Sequence, residues 1–318
     1  MGKLASYSKL AYQISKRFVI PQMSRANISI TSRCNQKCLT CNIWQLPARS
    51  IDRSDYSIML TANNLMWVTI TGGEPSTHPD FEDILRTSFE LTPLVQVNTN
   101  GILGGKIENA VGAALKGGFD NMMIVSVSIF GDKYHHEGIT RIPGSYEHAV
   151  ATIKRLIKLH DSRLIVGIAH TICKYNTDQV PFIEKLAKSL GVGVSFAFEK
   201  YTGYYNNLNS VDGFRPVMPN IKLSMNPLDI FKDIFITHGD RKSGCVAGEY
   251  SCWVLPDLNV YPCISAIPNK PAFNLHGSDF KLNNFSDSVL KEVKNCAGCW
   301  TACETYQTLV FRPWRVLK

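Results

Sequence analysis

Between residues 28 and 198 the chain alternates short β-branched runs with longer amphipathic segments, and this alternation restricts the fold more than any other feature. Residues 28–31, 67–71, 94–98, 122–128, 163–171 and 192–198 read as strands, rich in Val, Ile and Thr. Apolar residues at helical spacing mark 57–66, 79–90, 105–116, 145–160 and 177–190. Pro79 falls where a first helical turn tolerates proline, and Gly191 follows the last helix. Strands separated by helices pair in parallel through right-handed crossovers. Six strand–helix units therefore build an α/β sheet, short of the eight that close a full barrel.

Three cysteines follow the first strand. Cys34, Cys38 and Cys41 form C-x3-C-x2-C. Three thiolates on one short loop can hold three irons of a cubic iron–sulfur cluster and leave the fourth open, whereas a four-cysteine site is closed. The bare spacing also suits zinc. Further polar motifs close the next strands: Gly72-Gly73-Glu74-Pro75, then Asn98-Thr99-Asn100-Gly101, then Ser128. Loops at the C-terminal ends of parallel strands gather at one mouth.

This ordered set resembles the radical S-adenosylmethionine (SAM) superfamily over roughly residues 27–200. The resemblance implies a partial (β/α)6 TIM-like barrel, open on one side to substrate. It implies a 4Fe-4S cluster on Cys34, Cys38 and Cys41, with SAM chelating the open iron and being cleaved to a 5′-deoxyadenosyl radical. Gly72, Gly73, Glu74 and Pro75 match the family's GGEP motif. There the glycines would bring backbone close to the ligand, and Glu74 would accept from the SAM ammonium. Asn98 and Asn100 would lie near the SAM ribose and carboxylate, and Ser128 would contact SAM. Relatives follow that serine with Leu-Asp-Gly, whereas this chain has Ile129-Phe130-Gly131. No residue is singled out as an acid–base catalyst.

A second cysteine group closes the sequence: Cys245, Cys252 and Cys263, then Cys296, Cys299 and Cys303. Between Cys252 and Cys263, residues 254–263 read as a β-hairpin turning at Asp257 to Asn259. The usual turn glycine is replaced by Leu258 or displaced to Asn259, which tolerates left-handed backbone. The pattern resembles the SPASM and shorter Twitch extensions of radical SAM enzymes. The cysteine count favours Twitch, with one auxiliary 4Fe-4S cluster on Cys245, Cys263, Cys296 and Cys299. Cys252 and Cys303 are spare candidates, zinc is the alternative metal, and Cys173 reads as a core thiol.

The expected organisation is a basic amphipathic helix at 1–25, the barrel at 26–200, a connection at 201–244 and a small cysteine-rich β-hairpin/helix domain at 245–318. Within the connection a helix is expected near 227–236; Glu199 and Tyr201, after the sixth strand, read as an ordinary polar rim or, alternatively, face the substrate. The 318 residues are 45% hydrophobic with net charge +8, enough for a sizeable core and without a dense basic block for nucleic acid. No signal peptide or 18-residue apolar run is visible. Clustered cysteines then suggest metal in a reducing, cytoplasmic compartment. The N-terminal helix packs on the barrel or, alternatively, touches a membrane surface.

Three readings follow. The first is a radical SAM oxidoreductase that dehydrogenates or cross-links a small molecule or peptide, served by a reducing partner such as flavodoxin or ferredoxin. Its C-terminal extension resembles that of a Twitch dehydrogenase acting on a small cyclic alcohol, with SPASM peptide maturases close behind. The second is a radical SAM carbon–carbon bond-forming or lipid-modifying enzyme. The third is a non-enzymatic iron–sulfur or zinc protein, which has no need of a SAM ammonium partner at GGEP.

Overall fold

The computed structural model describes residues 23–200, 202–207, 236–237, 240–241, 245–266, 271–276 and 280–295. Six parallel strands carry the architecture: β1 Arg25–Ser29, β2 Trp67–Thr71, β3 Leu94–Thr99, β4 Met122–Ser128, β5 Leu164–Ile172 and β6 Gly193–Phe198. Each pairs with the next in sequence, from β1 to β6. The expected α/β class and partial barrel are what the chain adopts.

The strands alternate between two environments because successive side chains point to opposite faces. Ala26, Ile28, Val68, Ile70, Val95, Val97, Met123, Val125 and Val127 enter the main core with the helices. The other face carries the polar positions Arg25, Asn27, Thr69, Gln96, Asn98, Ser126 and Ser128, with apolar Trp67, Leu94, Met122 and Ile124 toward the strand starts. Arg25 shows the register of that face, with Nη2 donating to Asn27 Oδ1 (3.2 Å) and Thr69 Oγ1 (3.0 Å) and the guanidinium 3.7 Å from the Trp67 ring centre. A parallel sheet covered on both faces reads as continuous apolar runs. Here the polar alternate positions line the concave side.

The helices are α1 Arg53–Asn63, α2 Phe81–Leu91, α3 Gly104–Lys116, α4 Lys133–Thr140, α5 Ser145–Ile157 and α6 Val180–Leu190. The first begins and ends earlier than its periodicity suggests, because Asn64 takes left-handed backbone (φ 42°) and stops it. Helix α4 is not anticipated by the sequence pattern. It is two turns long, and Gly138 and two histidines dilute its apolar pattern, but Asp132 caps it by accepting from His135 N (2.9 Å).

Two short strands, β7 Ile236–Thr237 and β8 Asp240–Arg241, pair antiparallel. The rest of the expected helix near 227–236 and residues 1–22 of the N-terminal helix lie outside the described residues. The C-terminal hairpin joins the main sheet. Strand β9 Ser251–Val254 runs parallel to β1, β10 Asn259–Tyr261 returns against β9, and β11 Phe273–Asn274 adds at the edge. The order is β11-β10-β9-β1-β2-β3-β4-β5-β6. The last helix among the described residues, α7 Asp287–Lys294, is capped by Ser286, whose hydroxyl accepts from Val289 N.

Candidate active site

The cysteine loop leaves β1 and returns at residue 50, where Thr31 and Ser50 form an antiparallel bridge. Three neighbours hold it. Its entry is bonded to the turn after β2: Gly73 N donates to Thr31 O and Glu74 N to Arg33 O, both 2.7 Å. Its middle is bonded to the end of α4: Lys37 N to Thr140 O (3.1 Å) and Leu39 N to Ile139 O (2.9 Å). Its exit is clamped by residues 202–207, with Asn42 N donating to Tyr205 O (2.7 Å) and Asn207 Nδ2 to Thr40 O (2.9 Å).

Cys34, Cys38 and Cys41 sit half-buried on this loop. Burial pushes the Cys34 thiol up to about 12 and Cys41 to about 11. The Cys38 thiol is also pushed well up, by burial and then by the neighbouring Cys41 and Cys34, with the Arg141 charge opposing. Buried thiols that resist ionising alone suit a cationic metal centre that takes up their charge. Among the described residues no three His, Cys, Asp or Glu gather closely enough to share one ion. A cubic cluster places each thiolate on a different iron, so wider spacing is no objection to it. The donor set fits a 4Fe-4S cluster.

The two glycines after β2 serve a close approach of backbone to backbone. A Cβ on Gly72 (φ +155°) would lie 2.4 Å from Thr31 O, and one on Gly73 would lie 2.3 Å from Arg33 O. The family resemblance implies these glycines against a ligand. The structure places them against the cysteine loop.

Glu74 is buried, and its carboxylate fastens its own turn to the end of β3. Oε1 accepts from Ser76 N (3.1 Å), Ser76 Oγ (2.6 Å) and Thr99 Oγ1 (2.7 Å); Oε2 accepts from Asn100 N (2.7 Å). Burial pushes its carboxyl up, and these donors pull it back. Pro75 opens the following short turn and is buried. Asn100 extends the network, since Nδ2 donates to Asn35 Oδ1 in the cysteine loop (2.7 Å) and Oδ1 accepts from Ile102 N (3.0 Å). Any contact of Glu74 or Asn100 with SAM adds to these bonds.

Asn98 and Ser128 end neighbouring strands on the concave face, both half-buried, with Asn98 Oδ1 accepting from Gln96 Nε2 (3.0 Å). No hydrogen bond joins Ser128 to the Glu74 network among the described residues. At the strand-six end, Glu199 is buried and Tyr201 lies outside the described residues.

Residues 202–207 bring in an aromatic group to which the sequence assigns no role. Tyr204 donates from its hydroxyl to Gly72 O (3.2 Å) and packs edge-on against Trp253 at 5.0 Å. Ile43, Trp253, Tyr261 and Ile264 complete the group, and Cys41 packs against it. The crowding of Tyr204, Tyr205 and Asn207 is visible in sequence, but not its target.

The C-terminal cysteines divide. Cys252 belongs to the main core, and its strand position is opposite in parity to Ser251 and Trp253. Tyr261 pairs with Trp253, and Cys263 follows β10 by two residues, half-buried. Cys245 is buried, with Sγ accepting from Ala247 N at 3.5 Å. Cys296, Cys299 and Cys303 lie outside the described residues. Cys173 is buried with Phe130 and Ile139, and Cys38 packs against that group.

A sequence model of the radical SAM superfamily matches residues 28–186, half of the chain. The chain is 26% identical over 275 residues to the antilisterial bacteriocin subtilosin biosynthesis protein AlbA of Bacillus subtilis, covering 83% of this chain and 59% of AlbA. It is 23% identical over 282 residues to the PqqA peptide cyclase of Gluconobacter oxydans, covering 84% and 75% respectively. The chain spans about half to three fifths of the length of the first curated relatives it matches. Among solved structures, Streptococcus suis SuiB bound to precursor peptide SuiA superposes with a TM-score of 0.65 at 16% identity, covering 91% of this chain and 70% of SuiB. That likeness shows the fold.

Proposed function

The chain belongs to the radical SAM superfamily, and from that premise we propose that it cleaves SAM reductively and uses the 5′-deoxyadenosyl radical to abstract hydrogen from a peptide. The observation that carries the SAM chemistry is the three-thiol loop, held by Gly72, Gly73 and Glu74 against the ends of β2 and β3. Cys34, Cys38 and Cys41 would hold a 4Fe-4S cluster, which when bound supplies the electron for SAM cleavage. The protein's part is placement. Glu74 and Asn100 fix the relation of the cysteine loop to the strand ends. Tyr204 holds the Gly72 carbonyl, and Asn98 and Ser128 offer polar contacts on the concave face.

A peptide is favoured over a small molecule because the PqqA peptide cyclase of Gluconobacter oxydans, a relative named for a peptide, matches 84% of this chain. Oxidation or cross-linking is the proposed outcome. An auxiliary 4Fe-4S cluster on Cys245, Cys263, Cys296 and Cys299 would accept the second electron. The core placement of Cys252 argues against it as a ligand. A reducing protein partner and a cytoplasmic setting belong to the same proposal. Among the described residues no helix is long and apolar enough to cross a membrane.

Anaerobic reconstitution tests this. About eight irons per chain, with 5′-deoxyadenosine formed from SAM and dithionite, is expected. Cys38→Ala should abolish cleavage and keep about four irons. Zinc at both sites with intact SAM would overturn the proposal.

A further inference from the structure

One polar side chain of the cysteine loop turns inward where its neighbours turn out. Lys37 and Leu39 are exposed, whereas Gln36 is only 3% exposed. The residues on either side of it are fixed. Asn35 Oδ1 accepts from Asn100 Nδ2 (2.7 Å), and Lys37 N donates to Thr140 O at the end of α4 (3.1 Å). The buried amide is used at one end alone. Its Oε1 accepts from Cys38 Sγ (3.4 Å), and its Nε2 is buried with no hydrogen-bond partner among the described residues. A buried donor left unpaired is destabilising, and such groups call for a partner supplied by a redox, catalytic or ion site. The main chain of Gln36 also bonds the Cys34 thiol and pulls it down against burial. One residue thus addresses two of the three cysteines.

The bond to Cys38 exists only while that sulfur carries its proton, because a carbonyl oxygen can only accept. A cysteine binds metal as thiolate, and a thiolate sulfur has no proton to donate. Oε1 would then face a negative sulfur. The oxygen and nitrogen ends of a carboxamide have nearly the same shape. A half-turn about the last side-chain bond therefore exchanges them without moving the chain, and brings the unpaired N–H beside Cys38 Sγ. The geometry points to Gln36 as an N–H···S donor to the Cys38 thiolate that sets the reduction potential of the 4Fe-4S cluster on Cys34, Cys38 and Cys41. This role presupposes the cluster of the proposed function. Reduction adds negative charge that spreads onto the sulfurs, so a donor there favours the reduced state and raises the potential.

Two readouts on the reconstituted full chain test this role, and neither needs turnover. The first is a redox titration followed by electron paramagnetic resonance, reading the cluster signal that Cys38→Ala abolishes. Gln36→Met keeps the side-chain length and removes the donor. Its iron content should match wild type. At a fixed potential its ratio of reduced to oxidised cluster should fall about tenfold, a shift of about 59 mV to more negative potential. Gln45→Met, the same change at an exposed position of the same loop, should leave the potential at the wild-type value. The second readout uses wild-type protein whose glutamine side-chain amides carry the heavy nitrogen isotope. Pulsed resonance should show that nitrogen coupled to the reduced cluster, and Gln36→Met should lose the coupling. A wild-type potential in Gln36→Met with full iron would overturn the role, as would an equal shift in Gln45→Met. Absence of the nitrogen coupling in wild type would overturn it too, even where the variant fails to hold iron. Reconstitution that leaves no iron on Cys34, Cys38 and Cys41 would instead sink the proposed function.

Discussion

Gly73 and Gly105 separate two meanings of glycine. A methyl group on Gly73 would meet Arg33 O at 2.3 Å, Arg33 C at 2.7 Å and Ser32 O at 2.7 Å, all main chain and unable to rotate away. Gly73→Ala should therefore push the cysteine loop outward, costing about 1–3 kcal/mol and lowering iron retention. Gly105, in the first turn of α3, has open space where a Cβ would sit, with nothing within 4 Å. Gly105→Ala should be neutral or stabilise by about 0.5–1 kcal/mol. Thermal unfolding with iron counts checks the pair, and equal behaviour of the two would contradict the close-approach argument. Two buried histidines set a second expectation. Burial holds His136 and His170 down at about 4, from an ordinary 6.5. Between those values the unfolded chain binds protons that the fold refuses, so stability present above pH 6.5 is lost as pH falls. At pH 5.5 each should cost about 1.4 kcal/mol, one pH unit's worth. His136 Nδ1 accepts from Phe130 N (3.2 Å), and asparagine can keep that bond. Anaerobic urea unfolding of His136→Asn should show a loss between pH 7 and 5.5 smaller than wild type by about 1 kcal/mol, whatever its absolute stability.

At the level of elements, the β9–β10 hairpin shows two effects opposed at one residue. Leu258 holds left-handed backbone (φ 61°), which costs a branched side chain about 1–2 kcal/mol. Its side chain is buried in the main core, where losing a leucine costs about 2–5 kcal/mol. The second term is larger, so Leu258→Gly should destabilise by roughly 1–3 kcal/mol despite relieving the backbone. A gain in melting temperature would show that burial there is weaker than it looks. The same hairpin marks what sequence conveys. Its turn at 257–259 is legible, because Asp257 and Asn259 are turn residues between apolar runs. Its pairing with β1 is not, because strand neighbours more than 200 residues apart leave no local trace. Strands β2 to β6 are legible from β-branched runs within a residue or so of their ends. Strand β1 begins earlier than expected, since buried Arg25 and Asn27 disguise a strand whose polar face lines the concave side. The cysteine spacing and GGEP announce the site's chemistry. The partners of Glu74 are hidden, because Ser76 and Thr99 reach it only once β2 and β3 lie side by side.

On the scale of the whole molecule, β1 is bracketed by the second strand and the ninth. Arg25, Ala26, Asn27 and Ile28 pair with Ser251, Cys252, Trp253 and Val254. Cys252, Val254, Leu258, Val260, Leu275, Leu282 and Phe285 share one core with Ile28, Val68 and Val95. A second tie binds the C-terminal segment to α1, where Asn63 Nδ2 donates to Phe280 O (2.7 Å) and Leu282 N donates to Asn63 Oδ1 (2.8 Å). A shared core and a shared sheet predict shared unfolding. The protein should therefore melt in one transition when followed by far-ultraviolet circular dichroism and by tryptophan fluorescence. A chain cut after residue 244 should not persist as a folded barrel. It would leave the apolar edge of β1 unpaired, a template for association with other chains, and would strip one side of the core. Size-exclusion chromatography of that fragment should show aggregate. A monomeric, SAM-cleaving fragment would mean instead that β1 to β6 close their core alone and that the hairpin is an addition to a self-sufficient barrel.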